Sequence, residues 1–446
     1  MKTKSLISFI LVIAVVLGSV MSLSSCMQVL GAYVIENMKE NNGDSTDKPG
    51  TNGGTSDPTS PSNPDPDNGG TSGDNGTSGD EVEDETITFY PDSSDDPTSV
   101  TGVTKAILSA VSIYSSFEVD YGYGYPTDTT VSRGSGVIYK LDRESGDAYI
   151  ITNYHVVYNS SATGNGISQD ISVYLYGQEL VTYAIPAKYV GGSFANDIAV
   201  LKISGSEVIK NSKALAVTVS DSDKVAVLDN VVAIGNPEGY GISATNGIVS
   251  VESEPLTMTG ADGKTTINPR VIRVSAAIND GNSGGGLFND NGDLIGIVNA
   301  KRNGSNIDNI AYAIPSNVAV RLAENIIYFC DGETNLTPKK AMLNVVLTAK
   351  VLGVDVDAES GKITKVEIVE VDQIGEGSVM QGKLEVGDRV NYITVDGVTK
   401  EATRIHHVVD MMLLARVGST VTVNITRGES TFDITITISE SDLTSV

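Results

Sequence analysis

The chain has 446 residues, a length that allows two or three domains, and a formal net charge of −26. That acidity excludes a nucleic-acid partner, because phosphate binding needs clustered Lys and Arg. The two cysteines, Cys26 and Cys330, supply neither a disulfide framework nor a metal-ligand set.

The amino terminus begins MKTK and continues into a mostly apolar run from Ile7 to Leu23, which reads as a secretory signal over 1–26. The run ends in Leu23-Ser24-Ser25-Cys26. This resembles the lipobox of bacterial lipoproteins, in which the cysteine is lipidated and becomes the mature first residue. The alternative is an uncleaved anchor, since the run approaches a spanning length of about 20 residues. Either way the rest of the chain is expected outside the cytoplasmic membrane, anchored at a bacterial cell surface. The expected tether spans 27–96, and within it residues from about 40 to 86 are Gly, Ser, Thr, Asp, Asn and Pro with almost no apolar side chain. Such a segment cannot bury enough surface to offset ordering entropy and is expected to be a disordered tether. Residues 36–100 carry a net charge of −14, as much as the whole of 101–446.

From about residue 97 the pattern turns to short β-type runs separated by Gly, Asn and Asp: 135–139, 148–152, 171–175, 198–203, 230–234, 271–274 and 294–299. Many short strands with turn signals predict an all-β sandwich or barrel. A helix is predicted from Asn317 to Cys330, with Ser316 placed to cap it and Gly332 to end it. Cys330 closes this apolar run as a buried thiol. A second, smaller α+β unit follows, with strands near 345–350, 363–371, 389–395, 420–427 and 431–439. Its helix is predicted over 402–417, where Ile405, Val408, Val409, Met412 and Leu413 follow helical spacing.

The stretch AINDGNSGGGLFN, from Ala277 to Asn289, sets Ser283 among four glycines. A mobile surface turn is one explanation. The other is a nucleophile in a tight loop, because glycine tolerates positive φ and close backbone approach. A serine hydroxyl is a weak nucleophile until a base takes its proton, and the one histidine before residue 400 is His155, in IITNYHVV. Asp197, at the head of the apolar run in NDIAVLKI, is either a turn residue or the acid that orients the imidazole. The order His155, Asp197, Ser283 has gaps of 42 and 86 residues and matches the His…Asp…Ser order of chymotrypsin-type triads. Backbone N–H groups of Gly281 and Ser283, helped by Asn282, would then bind a developing oxyanion.

The blocks GSGVIY (134–139), TNYHVV (152–157), NDIAVLKI (196–203), VVAIGNPEGYGISATNGIVS (231–250), AAINDGNSGGGLFNDNGDLIGI (276–297) and AYAIPSN (311–317) occur in that order. Together they resemble the HtrA/Deg family of trypsin-like serine proteases with PDZ domains, over about 97–440. The resemblance implies a mainly-β fold: a chymotrypsin-like double Greek-key β-barrel over 97–332, then a small α+β PDZ domain over 341–440. It implies His155 as general base, Asp197 as its orienter and Ser283 as nucleophile, in the cleft between the barrels. Two positions depart from the family pattern. Asp280 stands where the family commonly has proline before the glycine, and Glu238 where it commonly has an aromatic after Asn-Pro. The position that makes trypsin select basic residues is Ala277 here. With Ile278 and Ile297 it implies a pocket for small or medium apolar side chains, although Ala277 and Ile278 also suit plain barrel core.

In the implied PDZ domain, Leu352, Gly353 and Val354 would offer N–H groups to a terminal carboxylate and Ile405 would face the groove. His406 and His407 are read as solvated. The reading as a whole is a membrane-tethered serine endopeptidase acting on unfolded or misfolded proteins, with C-terminal peptides as PDZ ligands. No metal and no cofactor is implied, and a homotrimer is implied by the family alone. The rivals are a non-enzymatic holdase of the same fold and a narrow protease that cuts one membrane partner.

Overall fold

In the computed structural model, residues 102–120, 127–178, 181–301, 310–359 and 361–446 are described. The expected signal segment with Cys26 and the tether over 27–96 lie outside the described residues. Strands β1 (Ala110–Val119), β2 (Asp128–Asp142), β3 (Asp147–Thr152), β4 (Asp170–Leu175), β5 (Ile185–Ser193) and β6 (Ile198–Ile203) close a barrel in the order β1-β2-β3-β6-β5-β4. Side chains alternate across a strand, and here both faces are used. Val111, Ile113, Ile150, Val173, Leu201 and Ile203 fill the barrel interior. Their neighbours Val137, Ile151, Ile198 and Val200 point outward into a second buried cluster with Ile234, Phe288, Ile297 and Ile314. Burial on both faces explains why IAVLKI reads as an almost unbroken apolar run.

A second closed barrel follows, from β7 (Asn230–Gly235), β8 (Ser243–Pro255), β11 (Arg270–Val274), β12 (Gly286–Phe288), β13 (Leu294–Lys301) and β14 (Ala311–Pro315), in the order β11-β14-β13-β12-β7-β8. A small hairpin of β9 (Met258–Thr259) and β10 (Thr266–Ile267) projects between β8 and β11. Val231, Ala233, Val249, Ile272, Leu287 and Val298 fill this barrel. The mainly-β, double-barrel expectation holds, and the predicted strand over 198–203 matches β6 end to end.

Three short helices matter here: α1 (Tyr154–Val157), α2 (Ser316–Phe329) and α3 (Ile405–Met411). Helix α2 starts one residue earlier than predicted. Pro315 occupies its N-cap, and the Ser316 hydroxyl donates to the Ser220 carbonyl at 2.7 Å instead of capping. The helix ends before extended Cys330, so Gly332 lies beyond it. Cys330 is half-buried against Gly191; burial and then Asp331 push its thiol up to about 12.

The C-terminal strands are β15 (Lys339–Ala341), β16 (Val345–Val356), β17 (Ile363–Ile374), β18 (Arg389–Val395), β19 (Val398–Glu401), β20 (Thr420–Arg427), β21 (Ser430–Thr437) and β22 (Leu443–Ser445). Their main sheet runs β16-β17-β18-β20-β21, with β19 on β18. Helix α3 is shorter than the predicted 402–417. Ala402 still bonds to the Asn391 carbonyl, and after Met411 the chain tightens into a 3₁₀ turn over Met412–Leu414. That turn sets Leu413 into the cluster beneath α2 and lays the Arg416 guanidinium over Tyr328 and Phe329, at 5.0 and 5.2 Å.

Around α3, charged pairs join this sheet to the second barrel. Arg270 bonds Asp410, Lys400 meets Asp223 at 2.7 Å, and Lys362 meets Asp229 at 2.8 Å. His406 and His407 are not solvated as expected. The His407 side chain is buried and that of His406 is 19% exposed, and both face Asp223. Burial, opposed by Asp223, pushes the His407 imidazole down to about 4. No described helix is long and apolar enough to cross a membrane.

Phe288 is fully buried where the two barrels share the cluster, and a Cβ at Gly286 would lie 2.3 Å from its ring. Phe288→Ala should therefore destabilise the protein by about 3–5 kcal/mol, read as a lower urea midpoint at unchanged slope.

Candidate active site

The three residues singled out in the sequence converge on the cleft between the barrels. His155 stands on α1, directly after β3. Asp197 sits in the turn between β5 and β6 with φ 52°, a left-handed conformation that aspartate tolerates better than most residues. Ser283 lies in the loop between β11 and β12. His155 Nδ1 lies 2.6 Å from Asp197 Oδ2, and the His155 backbone N–H donates to Oδ1 at 2.9 Å. Asp197 is 3% exposed, whereas the His155 side chain is 35% exposed at the cleft. With Nδ1 committed to the carboxylate, Nε2 is the nitrogen left to accept a proton.

A fourth residue, Asn299 of β13, was missed in the sequence. Its Nδ2 donates to Asp197 Oδ2 at 2.6 Å, and its carbonyl accepts the Ser283 hydroxyl at 3.1 Å. In this state Ser283 therefore bonds to Asn299, and the expected pairing with His155 requires its hydroxyl to rotate. Asparagine in a β-run carries no catalytic signal, so nothing in the local sequence could have revealed it.

The loop before Ser283 is held from behind. The Ser135 hydroxyl donates to the Gly281 carbonyl at 2.6 Å and accepts the Asn236 N–H at 2.7 Å, while Ser135 N–H donates to the Ser283 carbonyl at 2.8 Å. The Asp280 carbonyl accepts the Glu238 N–H at 2.7 Å. A trans peptide aims its C=O and N–H in opposite directions. With the carbonyl fixed on Glu238, the Gly281 N–H points away from Glu238. Gly281 has φ 98°, and a Cβ there would lie 2.3 Å from the Asn236 carbonyl oxygen. Glu238 takes part through its backbone at φ 56°, so replacing the family's aromatic side chain leaves this bond in place. Asn282 is buried and its N–H is taken by the Asn279 carbonyl, so its main chain does not supply the expected help to the oxyanion site.

A cavity of about 260 Å³ lies at the triad, lined by His155, Ser283, Ile278, Asn299 and, from the β9–β10 hairpin, Met258 and Ile267. Of the expected specificity residues, Ile278 borders it. Ile297 is fully buried in the shared cluster, and Ala277 is exposed with its carbonyl bonded by Thr245; neither lines the cavity. The hairpin takes their place, a contribution that local sequence could not show because it folds in from a distant turn.

At the C-terminal sheet, Leu352, Gly353 and Val354, expected to offer N–H groups to a carboxylate, lie within a strand. They continue β16 along β17, with a bulge between Val351 and Gly353, and the Leu352 and Val354 side chains are exposed. Ile405 lines a separate cavity of about 510 Å³ with Ala349, Val409 and Leu413, closed on its other side by Glu254, Pro255 and Arg270 of the second barrel.

Burial disfavours the His155 imidazolium, but the Asp197 charge and hydrogen bond outweigh it and raise the imidazole above its ordinary value near 6.5. Residues 134–297 match the family described as a trypsin-like peptidase domain. Serine protease Do-like HtrA of Bacillus subtilis (strain 168) is 40% identical over 202 residues, 45% of this chain and 40% of that protein. Periplasmic pH-dependent serine endoprotease DegQ of Escherichia coli (strain K12) is 37% identical over 226 residues, 50% of this chain and 43% of that protein. A solved HtrA-type protease AlgW with tripeptide aligns over 76% of this chain and 95% of its own, at 27% identity and a TM-score of 0.47. The chain spans about two fifths of the length of these curated relatives.

Two outcomes follow from this geometry. Hydrolytic kcat/KM should rise with pH through a midpoint above about 6.5, because the protonated imidazole cannot accept a proton. The sign for stability is opposite: the gain from a raised imidazole is present at low pH and lost as pH rises through the folded value. Secondly, Gly281→Ala should lower kcat by about 10²–10³-fold, the typical loss of one oxyanion donor. Glu238→Gly, which keeps the N–H and suits positive φ, should leave kcat within a few-fold.

Proposed function

We propose, from a peptidase domain that belongs to the HtrA family of trypsin-like serine proteases, that this chain is a membrane-tethered extracytoplasmic endopeptidase acting on unfolded or misfolded proteins. The observation that carries the reading is the 2.6 Å contact of His155 Nδ1 with buried Asp197, in a cleft that also holds Ser283. In this reading the Ser283 hydroxyl turns from Asn299 to His155. Oγ attacks the scissile carbonyl carbon while its proton passes to Nε2, and Asp197 steadies the imidazolium. The carbonyl oxygen takes up charge against the Gly281 and Ser283 N–H groups. Collapse expels the amine, which takes the proton from Nε2. Water then attacks the acyl-serine with His155 again as base.

The apolar lining by Ile278, Met258 and Ile267 supports selection of small or medium apolar side chains before the cleaved bond. The proposed organisation is a protease domain over 97–332 and a PDZ domain over 341–440, the latter binding C-terminal peptides. Against β16, which among the described residues pairs with β17 alone, such a peptide would add as a strand. Anchoring through the amino terminus and assembly as a homotrimer belong to the same proposal. A second reading, a protease kept at rest until a specific partner activates it, is favoured by the Ser283 hydroxyl being turned onto Asn299.

The full chain should degrade unfolded casein to many products, and Ser283→Ala should abolish this. Asp197→Asn should cost about 10⁴-fold in kcat, because the amide imposes the wrong imidazole tautomer. Cleavage seen only after C-terminal peptides are added would support the rested protease. Silence of the wild type in both conditions would sink general proteolysis.

A further inference from the structure

Asp223 sits in the short turn Ser222–Lys224 that leads into the second barrel. Asp221 accepts the Asp223 backbone N–H and is itself bonded by Asn317 of α2 at 2.7 Å, so the turn is fixed. The Asp223 side chain is only 5% exposed, and its buried Oδ1 makes no hydrogen bond. Two imidazoles of α3 face it. His406 Nε2 lies 3.6 Å from Oδ1 and His407 Nε2 lies 3.7 Å from Oδ2. The tautomer of His407 follows from its other nitrogen. Nδ1 lies 3.0 Å from the Glu401 carbonyl, which only accepts, and 3.2 Å from the Thr403 hydroxyl, which can accept as well as donate; a proton on Nδ1 suits both, and Nε2 then presents a lone pair to a carboxylate oxygen.

Two lone pairs aimed at each other repel unless a cation stands between them. An imidazole whose Nδ1–H is held by a backbone carbonyl is the usual support for a metal-bound Nε2. Ligand atoms bound tetrahedrally to zinc lie about 3.4 Å apart, close to the two observed separations, and all three donor atoms lie within 4.8 Å of one another. The surrounding charges agree. Asp221, Asp223, Asp410, Glu252 and Glu367 face Lys400, Arg270 and Arg404, five carboxylates against three cations. With neutral imidazoles this leaves −2, the complement of a divalent ion.

We propose that Asp223, His406 and His407 bind one divalent metal ion of the zinc class and that this ion ties α3 of the C-terminal sheet to the second barrel. Imidazole donors with one carboxylate favour zinc and its neighbours over calcium or magnesium. Lys400 Nζ, 2.7 Å from Asp223 Oδ2, competes for the same oxygen, and Asp221 Oδ2, 3.6 Å away, can receive the ammonium when the ion binds.

The test uses the full chain, freed of metal by chelator dialysis. Zn²⁺ is titrated against a chromogenic chelator, and Co²⁺ serves as the visible probe. The expected result is one equivalent bound with a tetrahedral Co²⁺ spectrum. His406→Gln and His407→Gln should each weaken binding more than the roughly 10–100-fold that loss of an outer partner costs. Lys400→Gln, which removes the competitor and no ligand, should tighten it. The chain has three histidines, so His155→Gln is the control for metal binding at the cleft and should leave the metal affinity and the Co²⁺ spectrum unchanged. Absence of stoichiometric binding, indifference to His406→Gln, weaker binding in Lys400→Gln, or loss of binding in His155→Gln would each overturn the proposal.

Discussion

The Asp197 carboxylate accepts a backbone N–H and a ring contact from His155 on one side and the Asn299 amide on the other. His155 and Asp197 belong to the first barrel and Asn299 to the second, so this buried group joins the two barrels at the site. A buried carboxylate with fewer partners would be costly, and bonds to an ionised acceptor are stronger than neutral ones. Imidazole orientation and barrel register are thereby coupled: a displacement of β13 would remove a donor from Asp197 and leave the ring less firmly held. The side chain of Asn153 adds to the same turn by bonding the Asp197 carbonyl at 2.9 Å.

The serine loop depends on backbone geometry in the same way. Ser135, from the first barrel, reaches the Gly281 carbonyl, the Asn236 N–H and the Ser283 carbonyl. The glycines around Ser283 are there because the chain passes close to other backbone. At Gly284, with φ 85°, a Cβ would lie 2.2 Å from the Ser135 carbonyl oxygen. The loop is therefore shaped by β2 and by the Asn236–Glu238 turn as much as by its own residues. The bond between Asp280 and Glu238 runs through their main chains, so it does not itself require either side chain.

The C-terminal sheet meets the second barrel through a mixed surface. Leu413 and the Arg416 stack supply the apolar and cation–π part under α2, and a group of carboxylates, cations and two imidazoles supplies the rest. Buried ion pairs contribute little net stability after desolvation but penalise any arrangement that leaves one partner alone. Such a surface fixes orientation more than it adds strength.

The sequence by itself determined the parts that rest on residue type and period. Runs such as IAVLKI marked the strands, the order of His155, Asp197 and Ser283 marked the candidate triad, and glycine density marked the loop around Ser283. Each is a local signal, because side-chain alternation, rare residues and positive φ are properties of a few neighbouring positions. Only the tertiary structure decided that Asn299 bridges Asp197 and Ser283, that Ser135 and the Glu238 main chain hold the loop, and that the β9–β10 hairpin lines the cleft in place of Ala277 and Ile297. It also turned His406 and His407 from expected surface residues into a buried and a partly buried imidazole, both facing Asp223. These contacts join positions far apart in the chain, many through backbone atoms that every residue carries, so no residue pattern announces them and only the closing of the fold brings them together.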